Sequence, residues 1–476
     1  MAAQQSHACT GRVRPALALQ RAAATAAARR PHSLAARVTC GGAGKQNVLV
    51  VGGGGREHAL SWKLAQSPSC GTLYVAPGNA GTELEPNMVS LPLLNTSDHK
   101  QVITFCREKG IDFVMVGPEQ PLVEGLVDSL EAAGVTAFGP TAAAAQLEGS
   151  KAFMKNICRK YNIPTAQYET FSDPASAKAF ITQCGAPIVV KTSGLAAGKP
   201  CKGVIVAATL EEAYQAVDDM MVNNTFGSAG ATIVVEEFLS GEEASLFAFI
   251  DGESCTPLVG AQDHKAVGEG DTGLNTGGMG SYSPAPVLTP EIAQQAMEQL
   301  VIPTARGMCA EGTPFRGVIF AGLMIKDGQA KLLEHNVRFG DPECQSLMVR
   351  LQSDLLESLL AQCRGEQIQL EWSADPSLTV VLAAKGYPGA YAKGGAIRNL
   401  QAVTGAKVFH AGTAMRDGQV VSTGGRVLGV TATGKDVLEA QQKAYAAVDQ
   451  IDFPDGFCRR DIGWRAVARL RAQQTA

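Results

Sequence analysis

The sequence predicts a multidomain protein of α/β and α+β class that begins with a doubly wound domain. Three observations lead to this prediction. The chain has 476 residues, which is more than one ordinary domain holds. The stretch NVLVVGGGGREHAL at 47–60 is an apolar strand that runs into four glycines and then a helix. After Ser150, paired strands joined by glycine-rich turns replace the strand–helix alternation.

Four strands separated by helices predict the doubly wound domain over residues 46–149. They lie in the segments NVLVV, TLYVAP, DFVMV and VTAF, and a glycine follows each one. The loops at their carboxyl ends are 52–56, 78–83 and 117–119. We expect these loops to meet at one crevice, because ligands bind at the carboxyl ends of the strands in folds of this kind.

The glycine run after the first strand favours a phosphate site over a dinucleotide site. The dinucleotide fingerprint G-x-G-x-x-G needs a third glycine, but this chain has Glu57 or His58 there. The acid that should bind a ribose about 20 residues further on has no counterpart before Glu83. A glycine turn that leads into a helix still offers N–H groups to a phosphate. An ordinary tight turn is the alternative.

The segment after Ser150 is predicted to bind a triphosphate. Two apolar strands, APIVVKT and VIVAA, flank the glycine loop SGLAAGKPCKG, with Lys191 at the end of the first strand and Lys199 in the loop. An ammonium group beside a mobile, amide-rich loop suits phosphate oxygens. The loop is not a Walker motif, because Pro200 stands where that motif has Ser or Thr. A plain hairpin is the alternative.

A further strand, turn and strand follow in TIVVEEFLSGEE and ASLFAFIDG. Exposed backbone at the end of the first of these strands can pair with an adenine ring. A carboxylate a few residues on can accept hydrogen bonds from ribose hydroxyls. An acidic turn on the surface is the alternative.

The polar run LEHNVRFGDPE gives the strongest prediction of a site. On a strand, Glu334 and Asn336 are two residues apart and share a face, while His335 points the other way. Carboxylate and amide oxygens suit Mg²⁺ that is held together with substrate phosphates. Arg338 continues on the same face, where its cation can stabilise a phosphate or an acyl-phosphate oxyanion. A set of paired surface charges is the alternative.

The charge distribution argues against a nucleic-acid or membrane partner. Seven of the 41 basic residues lie in residues 1–45, which contain no acid. The rest of the chain therefore has 34 basic and 45 acidic residues, a net charge of −11. No apolar run reaches the ~18–20 residues that span a bilayer. The 12 cysteines are scattered and form neither a C-x-x-C metal site nor a disulfide framework.

Residues 1–45 are predicted to be a transit peptide, because they are rich in Ala, Arg and Ser and free of acids. The expected destination is the chloroplast stroma. The mitochondrion is the alternative destination, since the two kinds of transit peptide overlap in composition, and a disordered basic arm is the alternative to targeting.

Nine stretches resemble, in order, the phosphoribosylamine–glycine ligases (glycinamide ribonucleotide synthetases), an ATP-grasp family of purine synthesis. They are VLVVGGGGREHALSWKL, APGNAGTE, VGPEQPLVEGLVD, GLAAGK, EEFLSGEEAS, QDHKAVGEGDTGLNTGGMGSYSPAP, EHNVRFGDPECQ, KVFHAGT and RRDIGWRA. The resemblance implies ATP-dependent ligation of glycine to 5-phospho-β-D-ribosylamine through glycyl phosphate. It also implies a biotin-carboxylase-like arrangement. Its parts are an N-terminal substrate-binding domain (46–149), an ATP-grasp core (150–376) and a small C-terminal α/β domain (377–476).

The same resemblance implies a role for individual residues. The catalytic candidates are Lys191 and Arg338. The ATP-binding candidates are Lys155, Lys191, Lys199, Glu236, Glu237, Phe238, Leu239 and Glu243. The candidates for binding glycine and phosphoribosylamine are Gly53, Gly55, Gly78, Asn79, Glu119, Lys265 and Asp341. The metal ligands are Glu334 and Asn336, for Mg²⁺ or Mn²⁺. The implied partners are small-molecule substrates, with no nucleic acid and no membrane, and the protein is expected to be a monomer.

The chain departs from the family's usual pattern in the phosphate loop. That loop usually reads K-A-D-G-L-A-A-G-K-G-V, but here Thr192 and Ser193 replace Ala-Asp and Pro200, Cys201 and Lys202 are inserted. Two other functions remain open at this point. One is a different ATP-grasp carboxylate–amine ligase, and the other is a nucleotide-dependent oxidoreductase or a nucleotide-sensing module.

Overall fold

The computed structural model describes residues 44–196 and 203–475. Residues 1–43 of the predicted transit segment lie outside these ranges, as do Lys199 and the inserted residues 200–202. Within the described ranges, no helix has the length and apolarity that crossing a membrane requires. The nine cysteines in those ranges are free thiols.

Residues 46–149 form the doubly wound domain that the sequence predicts. Its strands are β1 (Gln46–Gly52), β2 (Cys70–Pro77), β3 (Met88–Ser90), β4 (Phe113–Val116) and β5 (Thr136–Phe138). Its helices are α1 (Gly55–Leu64), α2 (Ala80–Leu84), α3 (His99–Lys109), α4 (Glu119–Val123), α5 (Leu126–Ala132) and α6 (Ala142–Gly149). All strands are parallel, in the order β3-β2-β1-β4-β5. The sequence predicts four of them and misses β3, whose three residues are too few to show a strand period.

The winding direction changes between the neighbouring strands β1 and β4. In folds of this kind, ligands bind in the crevice at such a switch point. Gly53 and Gly54 follow β1, Gly78 follows β2, and Glu119 begins the helix after β4. The sheet therefore brings the three predicted loops to one edge.

Residues 150–376 contain two antiparallel sheets. The strands of this region are β6 (Tyr168–Phe171), β7 (Ile188–Thr192), β8 (Val204–Ala207), β9 (Ile233–Glu237), β10 (Glu242–Asp251), β11 (Ser254–Pro257), β12 (Gln262–Asp263), β13 (Ala266–Gly268), β14 (Thr272–Asn275), β15 (Gly280–Ser283), β16 (Arg316–Lys326) and β17 (Gln329–Asn336). Strands β13 and β14 form a separate pair, and β12 and β15 lie outside both sheets. The helices of this region are α7 (Lys151–Lys160), α8 (Pro174–Cys184), α9 (Leu210–Val217), α10 (Pro290–Ala296), α11 (Ile302–Ala310), α12 (Glu343–Met348) and α13 (Leu355–Cys363). The sheet orders are β6-β9-β7-β8 and β11-β10-β16-β17. Strands β7 and β8 pair antiparallel on either side of the glycine loop, as the sequence predicts, whereas β9 and β10 are not paired and lie in different sheets.

The C-terminal part builds a sheet that also takes in two earlier strands. Its own elements are β18 (Ser377–Ala384), β19 (Ala396–Ile397), β20 (Lys407–His410), β21 (Thr413–Arg416), β22 (Gln419–Ser422), β23 (Arg426–Thr433), α14 (Val437–Val448), β24 (Gly456–Phe457) and α15 (Trp464–Thr475). The main sheet has the order β12-β15-β18-β23-β20, with β24 paired to β18. The segment from β12 to β15 is thereby attached to the C-terminal sheet.

The buried side chains form separate cores behind the two antiparallel sheets. Strands β6 to β9 pack with α8 and α9 around their own cluster, which includes Val190 and Val235. Strands β10, β16 and β17 instead share one core with the N-terminal domain, including Leu49 and Leu332. Burying each such side chain stabilises the fold by about 1.5–3 kcal/mol. The space between the sheets thus lies between two independently packed walls.

Candidate active site

A cavity of about 390 Å³ lies between the two antiparallel sheets, and we call it the intersheet cavity. Most of the residues predicted from the sequence line it. They are Glu119, Lys191, Glu236, Glu237, Phe238, Leu239, Glu243, Lys265, Glu334, Asn336, Arg338 and Asp341. The fold therefore brings together residues that are up to about 220 positions apart in the chain.

A β-bulge aims the predicted metal ligands at this cavity. On β17, Leu332 pairs with Leu323 and Glu334 pairs with Gly322, so Leu333 is an extra residue in the ladder. A bulge reverses which side chains face each way, and it often re-aims a side chain beside an active site. Before the bulge Leu332 is fully buried in the core, and after it Glu334 and Asn336 line the cavity.

Lys191 faces the intersheet cavity because its neighbour Val190 faces the core on the other side of β7. Its ammonium group contacts the buried carboxylate of Glu236, which also binds Lys155 at 2.6 Å. Burial alone would lower the pKa of Lys191, but Glu236 and Glu334 outweigh burial and raise it. Lys191 is therefore a permanent cation at neutral pH.

Lys155 is buried and is not among the residues that line the intersheet cavity. Its ammonium group is buried, and it donates to Thr165 Oγ1 at 2.7 Å as well as pairing with Glu236. Burial lowers the pKa of Lys155, with partial compensation by Glu236. Its contacts thus connect it to the cavity through Glu236, which holds Lys191 in place.

Arg338 is held by acidic side chains on two helices. Its Nη2 donates to Glu148 Oε1 at 2.6 Å and to Asn336 Oδ1 at 3.0 Å, and its Nε donates to Glu119 Oε2 at 3.2 Å. Burial alone would lower the pKa of Arg338, but Glu148 and Glu119 outweigh burial and raise it. The guanidinium is therefore fixed and charged directly beside Asn336.

Several cavity residues were not predicted from the sequence. The charged ones are Glu148, Lys151, Asp263, Glu343 and Arg426, whereas Arg56 ends the predicted loop 52–56. Glu343 is buried. Its burial and, to a smaller extent, repulsion from Asp263 raise its pKa to about 7. Asp263 and Glu343 stand in the motif stretches QDHKAV and GDPE, so the motifs contain a signal for them. Arg426 has no such signal, because only tertiary contacts bring β23 to the site.

A second cavity of about 370 Å³ shares Asp341 and Arg426 with the first and is lined mainly by small residues. We call it the glycine-loop cavity. Its lining comes from the N-terminal domain, from Asp341 and from the C-terminal domain: Gly53, Gly54, Pro77, Gly78, Asp341, Tyr387, Ala411, Gly412, Thr413, Thr423 and Arg426. A Cβ at Gly53 would lie 2.6 Å from the carbonyl oxygen of Gly78, so the two loops require glycine to approach.

Two predicted residues support this second cavity from outside its lining. Asn79 accepts hydrogen bonds from the first turn of α2 and donates to the carbonyl oxygens of Gly53 and His410, each at 2.9 Å. It thus joins the N-terminal loops to the C-terminal domain. Gly55 begins α1, and a Cβ there would lie 2.5 Å from Gln345 Nε2, so its role is close packing.

Three domain profiles of one family match the chain. They are the phosphoribosylglycinamide synthetase N domain over residues 46–148, the ATP-grasp (A) domain over 149–344 and the C domain over 377–465. The chain is 58% identical over 430 residues to the chloroplastic phosphoribosylamine–glycine ligase of Arabidopsis thaliana, covering 88% of this chain and 80% of that protein. It is 56% identical over 428 residues to the ligase of Agrobacterium fabrum, covering 89% of this chain and all of that one.

Solved structures show the same fold. The phosphoribosylamine–glycine ligase of Thermotoga maritima superposes with a TM-score of 0.77 at 33% identity, over 87% of this chain and 100% of that one. The biotin carboxylase domain of Hydrogenobacter thermophilus 2-oxoglutarate carboxylase superposes with a TM-score of 0.67 at 15% identity, over 87% and 91% of the two chains. The predicted biotin-carboxylase-like arrangement is thus confirmed. With three matched domains, close relatives and an intersheet cavity lined by the family's motifs, the chain belongs to the phosphoribosylglycinamide synthetase family of ATP-dependent ligases.

Proposed function

We propose that this protein joins glycine to 5-phospho-β-D-ribosylamine, with cleavage of ATP to ADP and phosphate, in purine biosynthesis. The observation that carries the proposal is the pair of adjoining cavities. One is lined by cations and by oxygen ligands, and the other by glycine-rich backbone, and both are lined by Asp341 and Arg426. This arrangement suits a reaction that activates an acid in one place and receives a sugar-phosphate amine in the next.

ATP and glycine are assigned to the intersheet cavity. The Glu236–Leu239 backbone and Glu243 are proposed to bind adenosine, and Lys191 the phosphates. Lys199 would join the phosphate contacts, although it lies outside the described residues. Phosphoryl transfer depends on positioning and on charge stabilisation, which Lys191 and Arg338 supply from fixed positions.

Glu334 and Asn336 fit a divalent cation. Both side chains line the intersheet cavity, and their carboxylate and amide oxygens are the hard ligands that Mg²⁺ prefers. The described residues contain no cluster of three or more His, Cys, Asp or Glu that could hold a metal unaided. The two side chains would supply part of a coordination sphere, and ATP phosphates would complete it. When bound, Mg²⁺ or Mn²⁺ would neutralise phosphate charge at this point.

The proposed reaction has two steps. In the first, a carboxylate oxygen of glycine attacks the γ-phosphorus of ATP, and the bond to the ADP oxygen breaks. In the second, the amine of phosphoribosylamine attacks the carbonyl carbon of glycyl phosphate, a C–N bond forms and phosphate leaves. Arg338 is suited to stabilise negative charge on the reacting oxygens in both steps.

ADP release with each substrate omitted in turn tests this function. The reaction contains ATP, Mg²⁺, glycine and freshly made phosphoribosylamine. We expect one ADP per glycinamide ribonucleotide and no sustained release when glycine or phosphoribosylamine is missing. Lys191→Ala protein prepared in the same way measures contaminating ATPases. Release without either co-substrate would indicate an ATPase, and efficient use of another acid or amine would indicate a different ATP-grasp ligase.

We further propose that residues 1–45 direct the protein to the chloroplast stroma and that the mature protein is a monomer. The chloroplastic relative from Arabidopsis supports this destination. The proposed domains remain 46–149, 150–376 and 377–476. A fluorescent reporter fused to residues 1–45 should enter chloroplasts, and a cytosolic reporter would contradict the proposal. Light scattering of the mature protein should give the monomer mass.

A further inference from the structure

The two cavities share two lining residues, Asp341 and Arg426. These are also the only charged side chains that line the glycine-loop cavity within residues 44–196 and 203–475. Asp341 precedes α12, whereas Arg426 begins β23 in the C-terminal sheet. If the two cavities hold the two substrates of the proposed function, this pair lies where they meet.

The carboxylate of Asp341 has a fixed orientation. Arg426 Nη2 binds its Oδ2 at 3.1 Å, and Gln345 Nε2 donates to its Oδ1 at 2.8 Å. Arg426 is itself held in place, because its Nη1 donates to the carbonyl oxygen of Gly277 at 2.6 Å and to that of Asp341. Donors on two different elements thus hold both oxygens of the carboxylate.

The carboxylate of Asp341 lies against the glycine loop and is 18% exposed. A Cβ at Gly54 would lie 3.5 Å from Asp341 Oδ2, and a Cβ at Gly55 would lie 3.6 Å from Oδ1. The loop that the proposed function assigns to phosphoribosylamine is therefore in close contact with the carboxylate. Other charged or titratable groups near Asp341 are Arg56 on α1 and Cys344 on α12.

We propose that Asp341 is the general base that accepts the proton of the attacking amine, and that Arg426 is the residue that positions it. This inference rests on the proposed function. As the amine nitrogen bonds to the carbonyl carbon of glycyl phosphate, it becomes positively charged and acidic. An Asp341 oxygen takes that proton, the C–O bond to phosphate breaks, and the proton passes to solvent. An ion-paired carboxylate is a weak base, but the proton leaves an already cationic nitrogen.

Glu343 is the other candidate for the base in this step. Its burial and, to a smaller extent, repulsion from Asp263 raise its pKa to about 7. That pKa is well placed for proton transfer at neutral pH. Its position is less suitable, since Glu343 lines the intersheet cavity but not the glycine-loop cavity. It also accepts from Ser245 Oγ at 3.3 Å within the protein. The geometry therefore favours Asp341 as the group that meets the amine.

Rapid-quench single turnovers with labelled ATP and labelled glycine test the inference. They follow ADP and glycinamide ribonucleotide separately in the presence of all substrates. In the wild type we expect one ADP per product. In Asp341→Asn we expect ATP cleavage to persist while amide formation slows by about 100-fold or more, so that the ratio of ADP to product rises above one. Arg426→Lys should raise the same ratio by a smaller amount.

The matched control is an exposed Arg–Asp pair elsewhere in the C-terminal domain. Arg398 Nη1 binds Asp452 Oδ2 at 3.1 Å, and Arg398→Ala and Asp452→Asn should leave the ratio at one. If Asp341→Asn fails to fold, Arg426→Lys decides. Equal loss of both steps, or loss of neither, would overturn the inference. So would uncoupling in Glu343→Gln but not in Asp341→Asn. A wild type that makes no glycinamide ribonucleotide would refute the proposed function instead.

Discussion

The intersheet cavity and the glycine-loop cavity are nearly equal in volume but are lined by different kinds of residue. The first is walled by charged side chains on strands, including Lys191, Glu334 and Arg338. The second is lined mainly by glycine and other small residues, with the Asp341–Arg426 pair as its only charges in the described residues. The comparison teaches that fixed charge gathers at the site proposed for phosphoryl transfer, whereas close packing of glycine loops shapes the site proposed for the sugar phosphate.

The two constructions have different physical requirements. A buried cation such as Lys191 needs a paired carboxylate, and Glu236 provides one on the adjacent strand. A backbone-lined cavity needs loops that approach without side chains, and Gly53 and Gly78 provide them. Substitutions should therefore affect different substrates in the two cavities.

Loss of the proposed metal ligands should have the largest effect. Glu334→Gln removes the negative charge of one proposed ligand, and Asn336→Ala removes the oxygen of the other, so ligation should be abolished while the fold is retained. Steady-state turnover across a Mg²⁺ titration and thermal unfolding measure the two properties. Near-normal turnover of both variants at saturating Mg²⁺ would refute the metal assignment.

Lys191→Ala should have the next largest effect on turnover. It removes a fixed cation from the phosphate side of the cavity, and turnover should fall by about 100- to 1,000-fold. Lys178→Ala is the matched control, because Lys178 is also an ion-paired lysine of the same region, with Asp218 at 2.7 Å, but lies outside both cavity linings. Equal activities of the two variants would show that the phosphates bind elsewhere.

Gly53→Ala should weaken the binding of phosphoribosylamine rather than that of ATP. The added Cβ meets the Gly78 carbonyl oxygen, so the two loops must separate, at a cost of about 1–3 kcal/mol. We expect the KM for phosphoribosylamine to rise by about tenfold or more, since 1.4 kcal/mol is a factor of ten, with little change in the KM for ATP. Gly389→Ala, at an exposed turn outside both linings, is the control. An increase confined to the KM for ATP would contradict the assignment.

Protonation of His335 should have a smaller effect than these substitutions, and it should appear in the free energy of unfolding. The side chain of His335 is buried with Nε2 at 3.0 Å from Thr304 Oγ1, and burial lowers its pKa to about 4. The unfolded chain therefore binds its proton first, so its stabilisation is complete above pH ~6.5 and is lost as pH falls towards 4, by about 3 kcal/mol. Urea unfolding of wild type and His335→Gln at pH 7 and 4.5 should show a steeper loss in the wild type. Parallel losses would exclude this role.

Removal of residues 1–44 should have the smallest effect. Strand β1 begins at Gln46, and the removed segment lacks the apolar periodicity of a core element. The shortened protein should keep its unfolding temperature and turnover. An insoluble or inactive product, beside an active full chain, would show that the segment is structural.

The sequence predicts the charged cavity better than the backbone cavity. LEHNVR on a strand already places Glu334 and Asn336 on one face, and the structure agrees. Which face that is depends on the bulge at Leu333, and a bulge has no signature in this run of residues. The sequence also does not show that β9 and β10, which are neighbours in the chain, belong to two different sheets.

The contribution of the C-terminal domain could not be predicted. Arg426 reaches Asp341 because β15 pairs with β18 and β18 pairs with β23, which are long-range contacts. Glycine motifs identify the N-terminal half of the glycine-loop cavity, but the other half consists of ordinary residues such as Ala411 and Thr423. Local patterns therefore predict the elements and the charged motif, and tertiary pairing decides what completes them.

Equilibrium binding to two variants tests the separation of the cavities most directly. ATP with Mg²⁺ and the stable product glycinamide ribonucleotide are titrated separately into wild type, Lys191→Ala and Gly53→Ala. We predict that Lys191→Ala loses ATP affinity by about tenfold or more but keeps the affinity for the ribonucleotide, and that Gly53→Ala does the reverse. If each variant loses both ligands equally, or if the losses are exchanged, the assignment of the two cavities is wrong.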